Sequence, residues 1–227
     1  MKRISVSKAI AALAVLVGFA CGGSAPGDVP VGATPASAQD VYGESVTGDI
    51  PPGYGTLKQD DFTIPTAFEG LAIKVTPLRE WVIRLAAPDT YRRLSGYKTS
   101  LRPEIEAIMQ RRNASAWPQL MLVSLFTRTP EQVYEPMELQ IVNSNVVFRP
   151  LGIIPITPNF AKGRIMQNQT ELGIYLFPAE IDLNLPTEIR YKEARSFAWE
   201  SIRQNLDQER ALVRSRIGAS QGQQGGS

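Results

Sequence analysis

The chain has 227 residues, 43% hydrophobic and 20% charged, with a formal net charge of +2, an ordinary globular composition. It contains no histidine and a single cysteine. Imidazole bases, Ser-His-Asp and Cys-His catalysis, histidine-ligated metals, four-cysteine zinc sites and an intrachain disulfide are therefore excluded.

Lys2, Arg3 and Lys8 flank and precede an uncharged apolar run of 12 residues, Ala9 to Ala20. A membrane-spanning helix takes roughly 20 such residues, so residues 1–20 read as a signal peptide. The run ends in Ala20-Cys21-Gly22-Gly23-Ser24, which resembles a bacterial lipoprotein box. The resemblance implies lipidation of Cys21 and a membrane partner held through acyl chains. With Gly22 after the cysteine, it also implies sorting to the outer membrane, facing the periplasm or the exterior. Buried acyl chains contribute ~0.8 kcal/mol per methylene, which makes such an anchor stable. An acylated sole thiol also leaves none to misoxidise in an exported protein. Residues 1–20 hold three bases and no acids, so the mature chain has 21 bases against 22 acids, net −1. The precursor's surplus of base is thus no sign of a nucleic-acid partner.

Residues 21–56 contain eight Gly and five Pro and read as a flexible tether, with a reach of ~30–36 Å for a random coil of this length. The folded part is expected over 57–217, and 218–227 (GASQGQQGGS) as a disordered tail. Within the folded part, 71–75, 81–85, 120–126, 137–142, 146–149, 171–177 and 188–191 read as short strands. The run LMLVSLF at 120–126 is apolar throughout and predicts a central strand covered on both faces. Asn143-Ser144-Asn145 predicts a tight turn, and Pro150, Pro155 and Pro158 confine the following segment to an edge or a loop.

Three helices are expected. One opens at Pro88-Asp89 and runs through Leu94; a second runs from Pro103 to Arg112, with acids early and bases late. The third spans 197–217, with Ser196 as N-cap and Trp199, Ile202, Leu206, Val213 and Ile217 on one face. That stripe has to dock, whether on the domain's own sheet, on a partner or second copy, or on a membrane surface, and it makes Trp199 and Leu206 candidate binding residues.

The predicted fold class is mainly β: an antiparallel sandwich with a small helical insertion and a C-terminal amphipathic helix. The order of features over 119–192, from QLMLVSLFTR through EPMELQIVNSNVVFRPLGIIPITP to ELGIYLFPAEIDLNLPTEIRYK, resembles the Ig-like, telokin-like sandwiches of secreted bacterial lipoproteins. The resemblance implies a binding or accessory role without catalysis. No Gly-rich phosphate loop, calcium loop or other cofactor motif occurs, and no cofactor is expected.

Candidate chemistry is sparse. From Arg84 to Arg112 seven bases face three acids, and Arg92, Arg93, Lys98, Arg102, Arg111 and Arg112 form a basic arm suited to anionic lipid heads or envelope polymers, or alternatively a solvated helical face. Ser95 and Lys98 match S-x-x-K, but no S-D-N element accompanies them. Glu180, Asp182 and Glu188 can be read as paired carboxylates or as turn acids. Trp117, Tyr134 and Tyr175 would line an apolar cavity in a small-ligand carrier. The expected function is that of a non-catalytic, lipid-anchored envelope protein that binds another envelope component through its sandwich or its C-terminal helix. The alternatives are a hydrolase using carboxylate or Ser-Lys chemistry and a small-ligand carrier.

Overall fold

The structure, a computed structural model, describes residues 50–224. The expected signal peptide at 1–20, Cys21, the part of the expected tether up to residue 49, and residues 225–227 lie outside the described residues. In chain order come β1 (Ile64–Phe68), β2 (Leu71–Pro77), α1 (Glu80–Ile83), α2 (Pro88–Ser100), α3 (Arg102–Arg112), β3 (Gln119–Thr127), β4 (Glu131–Val133) and β5 (Leu139–Asn143). They are followed by β6 (Val146–Phe148), β7 (Gly152–Pro155), β8 (Arg164–Met166), β9 (Thr170–Phe177), β10 (Thr187–Tyr191), β11 (Ala194–Ser196) and α4 (Trp199–Gln224). No helix among the described residues is long and apolar enough to cross a membrane.

The strands form antiparallel sheets ordered β1-β2-β3-β9-β7, β11-β10-β5-β6 and β4-β8. β3 is the middle strand of the larger sheet and is buried at seven of its nine positions, as its apolar run requires. β7, bounded by prolines, takes an outer position beside β9, where a missing N–H costs no ladder bond. Ser144 and Asn145 adopt positive φ (51° and 64°), the two-residue hairpin turn whose twist matches the strands it joins.

One core cluster joins the two larger sheets. Its centre is aromatic: Tyr134, Phe160 and Tyr175 meet edge-to-face at 5.7 and 6.1 Å, and the Tyr134 hydroxyl donates to the Phe160 carbonyl at 2.6 Å. Gly173 is glycine because a Cβ there would stand 2.8 Å from Cζ of Phe160. Phe68 of β1 packs edge-on against Tyr191 of β10, 5.8 Å between centroids.

Several sequence expectations are corrected. Residues 81–85 are helical through Ile83 rather than extended, because Val82, Ile83, Leu85 and Ala86 are all buried. That pattern is incompatible with a half-buried strand, and packing overrides the β preference of the side chains. α2 runs past Leu94 to Ser100. Ser196 lies in β11, paired with Ile189, so it does not cap α4, which starts at Trp199. α4 also continues seven residues beyond 217 to Gln224, into the stretch read as tail.

The domain starts earlier than residue 57. Ile50 is buried in the core, and Gly55 lies so close to the Leu85 backbone that a Cβ would be 2.0 Å from its carbonyl oxygen. Leu57 exchanges backbone hydrogen bonds with Leu85 and Ala87 at 3.1 and 2.9 Å. Thr56 donates from its N–H and its hydroxyl to Glu209 of α4, at 3.1 and 2.9 Å. The apolar stripe of α4 thus docks on its own domain. Trp199 is buried, donates from Nε1 to the Leu183 carbonyl at 2.8 Å and meets Trp81 edge-on at 6.4 Å. Leu206 and Val213 are fully buried as well.

Leu206→Ala is therefore expected to destabilise the domain by about 2–5 kcal/mol, and Trp199→Asp to prevent folding by burying an unpaired carboxylate; denaturant melts followed by circular dichroism check both. Burial also pushes the phenols of Tyr134 and Tyr175 far above their ordinary value of 10.0. The folded chain then keeps protons that the unfolded chain releases, so stability is full below about pH 10 and falls as pH rises above it. Thermal melts from neutral to alkaline pH are expected to show that fall, and Tyr175→Phe to soften it.

Candidate binding cavity on the outer sheet face

Strand register sets the first row of the site. On β2, Lys74 pairs with Ser124 of β3, which pairs with Leu172 of β9, so these three side chains share one face of the sheet. That face is the one turned away from the second sheet. Thr90, Arg93 and Tyr97, spaced by three and four residues on α2, form one stripe of that helix. A 3-10 turn over Gln59–Phe62 brings Gln59 and Asp60 to the same place. Together with Lys58 and Leu122 these groups line a shallow cavity of ≈ 410 Å³.

The cavity's charge is predominantly positive, with Lys58, Lys74 and Arg93 against Asp60. Asp60 is taken by Lys74, at 2.8 Å. Arg93 donates from Nη2 to the neutral Oε1 of Gln59 at 2.9 Å. Among the described residues neither the Lys58 ammonium nor the Arg93 guanidinium forms an ion pair, although the Asp61 carboxylate accepts from the Lys58 backbone N–H at 2.7 Å. A guanidinium and two ammonium groups beside hydroxyls, over an apolar floor, are the donors that hold carboxylate, phosphate or sulfate groups.

The basic arm read from the sequence does not stay together. Arg92 is exposed on α2, and only Arg93 reaches the cavity. Arg102 donates to Glu106 at 2.8 Å and lies over the Trp117 ring, 5.9 Å from its centroid. Arg111 donates to Ala107 of its own helix and Arg112 to the Leu151 carbonyl, beside a separate depression near β7. Lys98 is corrected outright: it is buried, on the stripe of Thr90 and Leu94, with its ammonium 3.3 Å from Oε1 of Glu80. Glu80 is buried too, and its other oxygen accepts from Arg84 at 3.1 Å and from the Tyr91 hydroxyl at 3.5 Å. This cluster ties α1 to α2. Trp199 and Leu206 are likewise core residues, unavailable as a binding stripe.

The other candidate chemistries are not assembled. Ser95 donates back to the Arg92 carbonyl at 3.3 Å, while Lys98 turns beneath the helix to Glu80. Glu188 accepts from Arg190 at 2.6 Å and lies 3.7 Å from Arg195; this bond holds the Arg190 guanidinium above its ordinary pKa. Asp182 caps Asn184 at 2.9 Å, and Glu180 is exposed. Among the described residues no three His, Cys, Asp or Glu side chains converge as a metal site would require. Tyr134 and Tyr175 fill the core, and Trp117 lies apart from them beside α3.

Sequence reasoning missed Lys58, Lys74, Gln59 and Asp60. The alternation in 71–75 placed Lys74 on an exposed face, but nothing in the sequence joined positions 58, 74 and 93. No protein-family model matches this chain, and no curated protein or solved structure matches it.

Glu80→Ala is expected to cost about 3–5 kcal/mol, because it removes the buried carboxylate that Lys98 and Arg84 share. Lys98→Met, which leaves Arg84 and Tyr91 on Glu80, is expected to cost less; urea unfolding of the two variants tests the order.

Proposed function

We propose that this chain is a non-catalytic, lipid-anchored protein of the bacterial envelope that binds an anionic envelope polymer through the outer face of its sandwich. Cys21 carries the acyl anchor, and the Gly/Pro-rich tether lets the domain stand off an outer membrane. The observation that carries the binding role is the meeting of Lys58, Lys74 and Arg93 over an apolar floor with a single carboxylate among them. The docked C-terminal helix supports the same choice of surface, since its apolar stripe is already covered. The Ig-like character of the sandwich belongs to this proposal. It is supported by a chain that alternates between sheets: β3 in the larger, β5 and β6 in the smaller, β7 and β9 in the larger, β10 and β11 in the smaller.

Polyglucuronate immobilised on a sensor surface is expected to retain the protein, and the Lys58→Glu/Arg93→Glu variant to bind at least about tenfold more weakly. Arg111→Glu/Arg112→Glu, changed at a separate depression, is expected to bind like the parent. Retention is expected to collapse at 1 M salt, where the screening length is about 3 Å. Loss of binding in both double variants would point to net charge rather than this cavity. Labelling with a palmitate analogue in cells is expected to vanish in Cys21→Ala, and labelling that persists would place the acyl group elsewhere.

A further inference from the structure

The arginine at the rim of the outer-face cavity is held by a neutral group. Arg93 donates to Oε1 of Gln59 at 2.9 Å, and Nε2 of the same amide donates to the Thr76 hydroxyl at 3.1 Å. The Thr76 and Thr63 hydroxyls share a bond of 2.7 Å, and Thr63 donates to the Gln59 carbonyl at 2.8 Å. Each hydroxyl has one proton to give, so the ring of bonds runs in one sense only: Gln59 to Thr76, Thr76 to Thr63, Thr63 back to Gln59. Thr63 and Thr76 are buried, which roots the amide in the domain. A guanidinium only donates, so Gln59 has to turn its oxygen to Arg93. Arg93 is thereby fixed in place and keeps its charge, which a carboxylate at position 59 would have cancelled.

Beside this arginine stand neutral groups that bond to nothing. Thr90 and Tyr97 line the cavity from the same stripe of α2, and Ser124 lines it from β3. Thr90 is only 8% exposed, yet neither its hydroxyl nor those of Tyr97 and Ser124 bonds to another described residue. A hydroxyl so far withdrawn from water calls for a partner. Leu122 and Leu172 supply an apolar floor. The volume of ≈ 410 Å³ falls in the range of about 300–1,000 Å³ that small ligands occupy.

We infer that the cavity takes a pyranose ring bearing its own carboxylate, a hexuronate unit, with Arg93 as receptor of the carboxylate and Gln59 as the residue that positions Arg93. The inference rests on the anionic-polymer reading above and names the unit which that reading leaves open. Residues three and four apart on a helix stand about 5–6 Å apart at Cβ. The charge for Arg93 and the hydroxyls for Thr90 and Tyr97 therefore have to come from within the breadth of one ring. A hexuronate presents them so, with its carboxylate fixed beside its hydroxyls and its C–H face free to lie on Leu122 and Leu172. A planar carboxylate also matches the fork of a guanidinium. A polyphosphate offers charge at every unit but no hydroxyl and no apolar face, and would leave the three hydroxyls and the floor unused.

The test measures retention of the full chain on four immobilised polymers at about 0.15 M salt: polyglucuronate, its carboxyl-reduced form, polyacrylate and polyphosphate. Polyglucuronate is expected to bind at least about tenfold more tightly than polyacrylate or polyphosphate, since neither can meet the hydroxyls of the site. The carboxyl-reduced polymer keeps its hydroxyls and is expected not to be retained. Tyr97→Phe/Ser124→Ala is expected to weaken polyglucuronate about fivefold or more, toward the level of polyacrylate. Gln59→Glu keeps the shape and the bond to Arg93 but cancels its charge, and is expected to weaken polyglucuronate at least about tenfold; circular dichroism confirms that both variants remain folded. Polyacrylate or polyphosphate held as tightly as polyglucuronate, or full binding by either variant, would overturn the hexuronate assignment and leave the anionic-polymer reading standing. No retention on any of the three polyanions would overturn both.

Discussion

β3 must be dry on both faces, and the layers of the molecule follow from that constraint. Its Met121, Val123 and Leu125 face the second sheet, while Leu120 and Leu122 face the other way. An apolar strand of this kind is tolerated only where something covers each side of the sheet. The smaller sheet covers one side with an aromatic core. α2 and α3 cover the other, through Leu94, Ile105 and Ile108. The contact is close: a Cβ at Gly152 of β7 would sit 2.7 Å from Ile108.

The helical cover is incomplete, and the cavity lies where it stops. The row Lys74, Ser124, Leu172 emerges from under α2, so that polar groups of the sheet meet polar groups of the helix around an apolar floor. A step between a covered and an uncovered half of a sheet is a natural place for a ligand, since floor and rim then differ in polarity. The same helix also shows how closely exposure controls a charge. Arg93 lies at the rim and keeps its capacity to bind. Lys98, five residues on, occupies a slot in the buried stripe and is held by a buried carboxylate.

α4 closes the domain over the segment 50–57 that precedes the first 3-10 turn. Its Glu209 accepts two hydrogen bonds from Thr56, and Arg216 reaches the Tyr54 carbonyl at 3.3 Å. Arg210 lies 5.0 Å from the centroid of the Trp81 ring, and Asp207 holds that guanidinium at 2.7 Å. The helix therefore belongs to the fold as a whole: its apolar stripe fills the core, and its charged flank fixes the entry of the chain.

By itself, the sequence determined the mainly β class, the doubly buried central strand, the hairpin turn at Ser144 and Asn145, the confinement of the proline-bounded segment to an edge or a loop, and the apolar stripe of the last helix. All of these depend on local spacing or on the conformational limits of single residues, which neighbours along the chain already express. It did not determine that 81–83 turn as a helix, that β1, β4, β8 and β11 exist, or that Lys98 is buried. Nor did it determine which cations meet: Lys58, Lys74 and Arg93 come from a 3-10 turn, a strand and a helix, and only the packing of those elements brings them within one cavity. Charge at a position is written in the sequence, but its surroundings, and hence whether it binds a ligand or locks a core, are set by contacts between residues far apart in the chain.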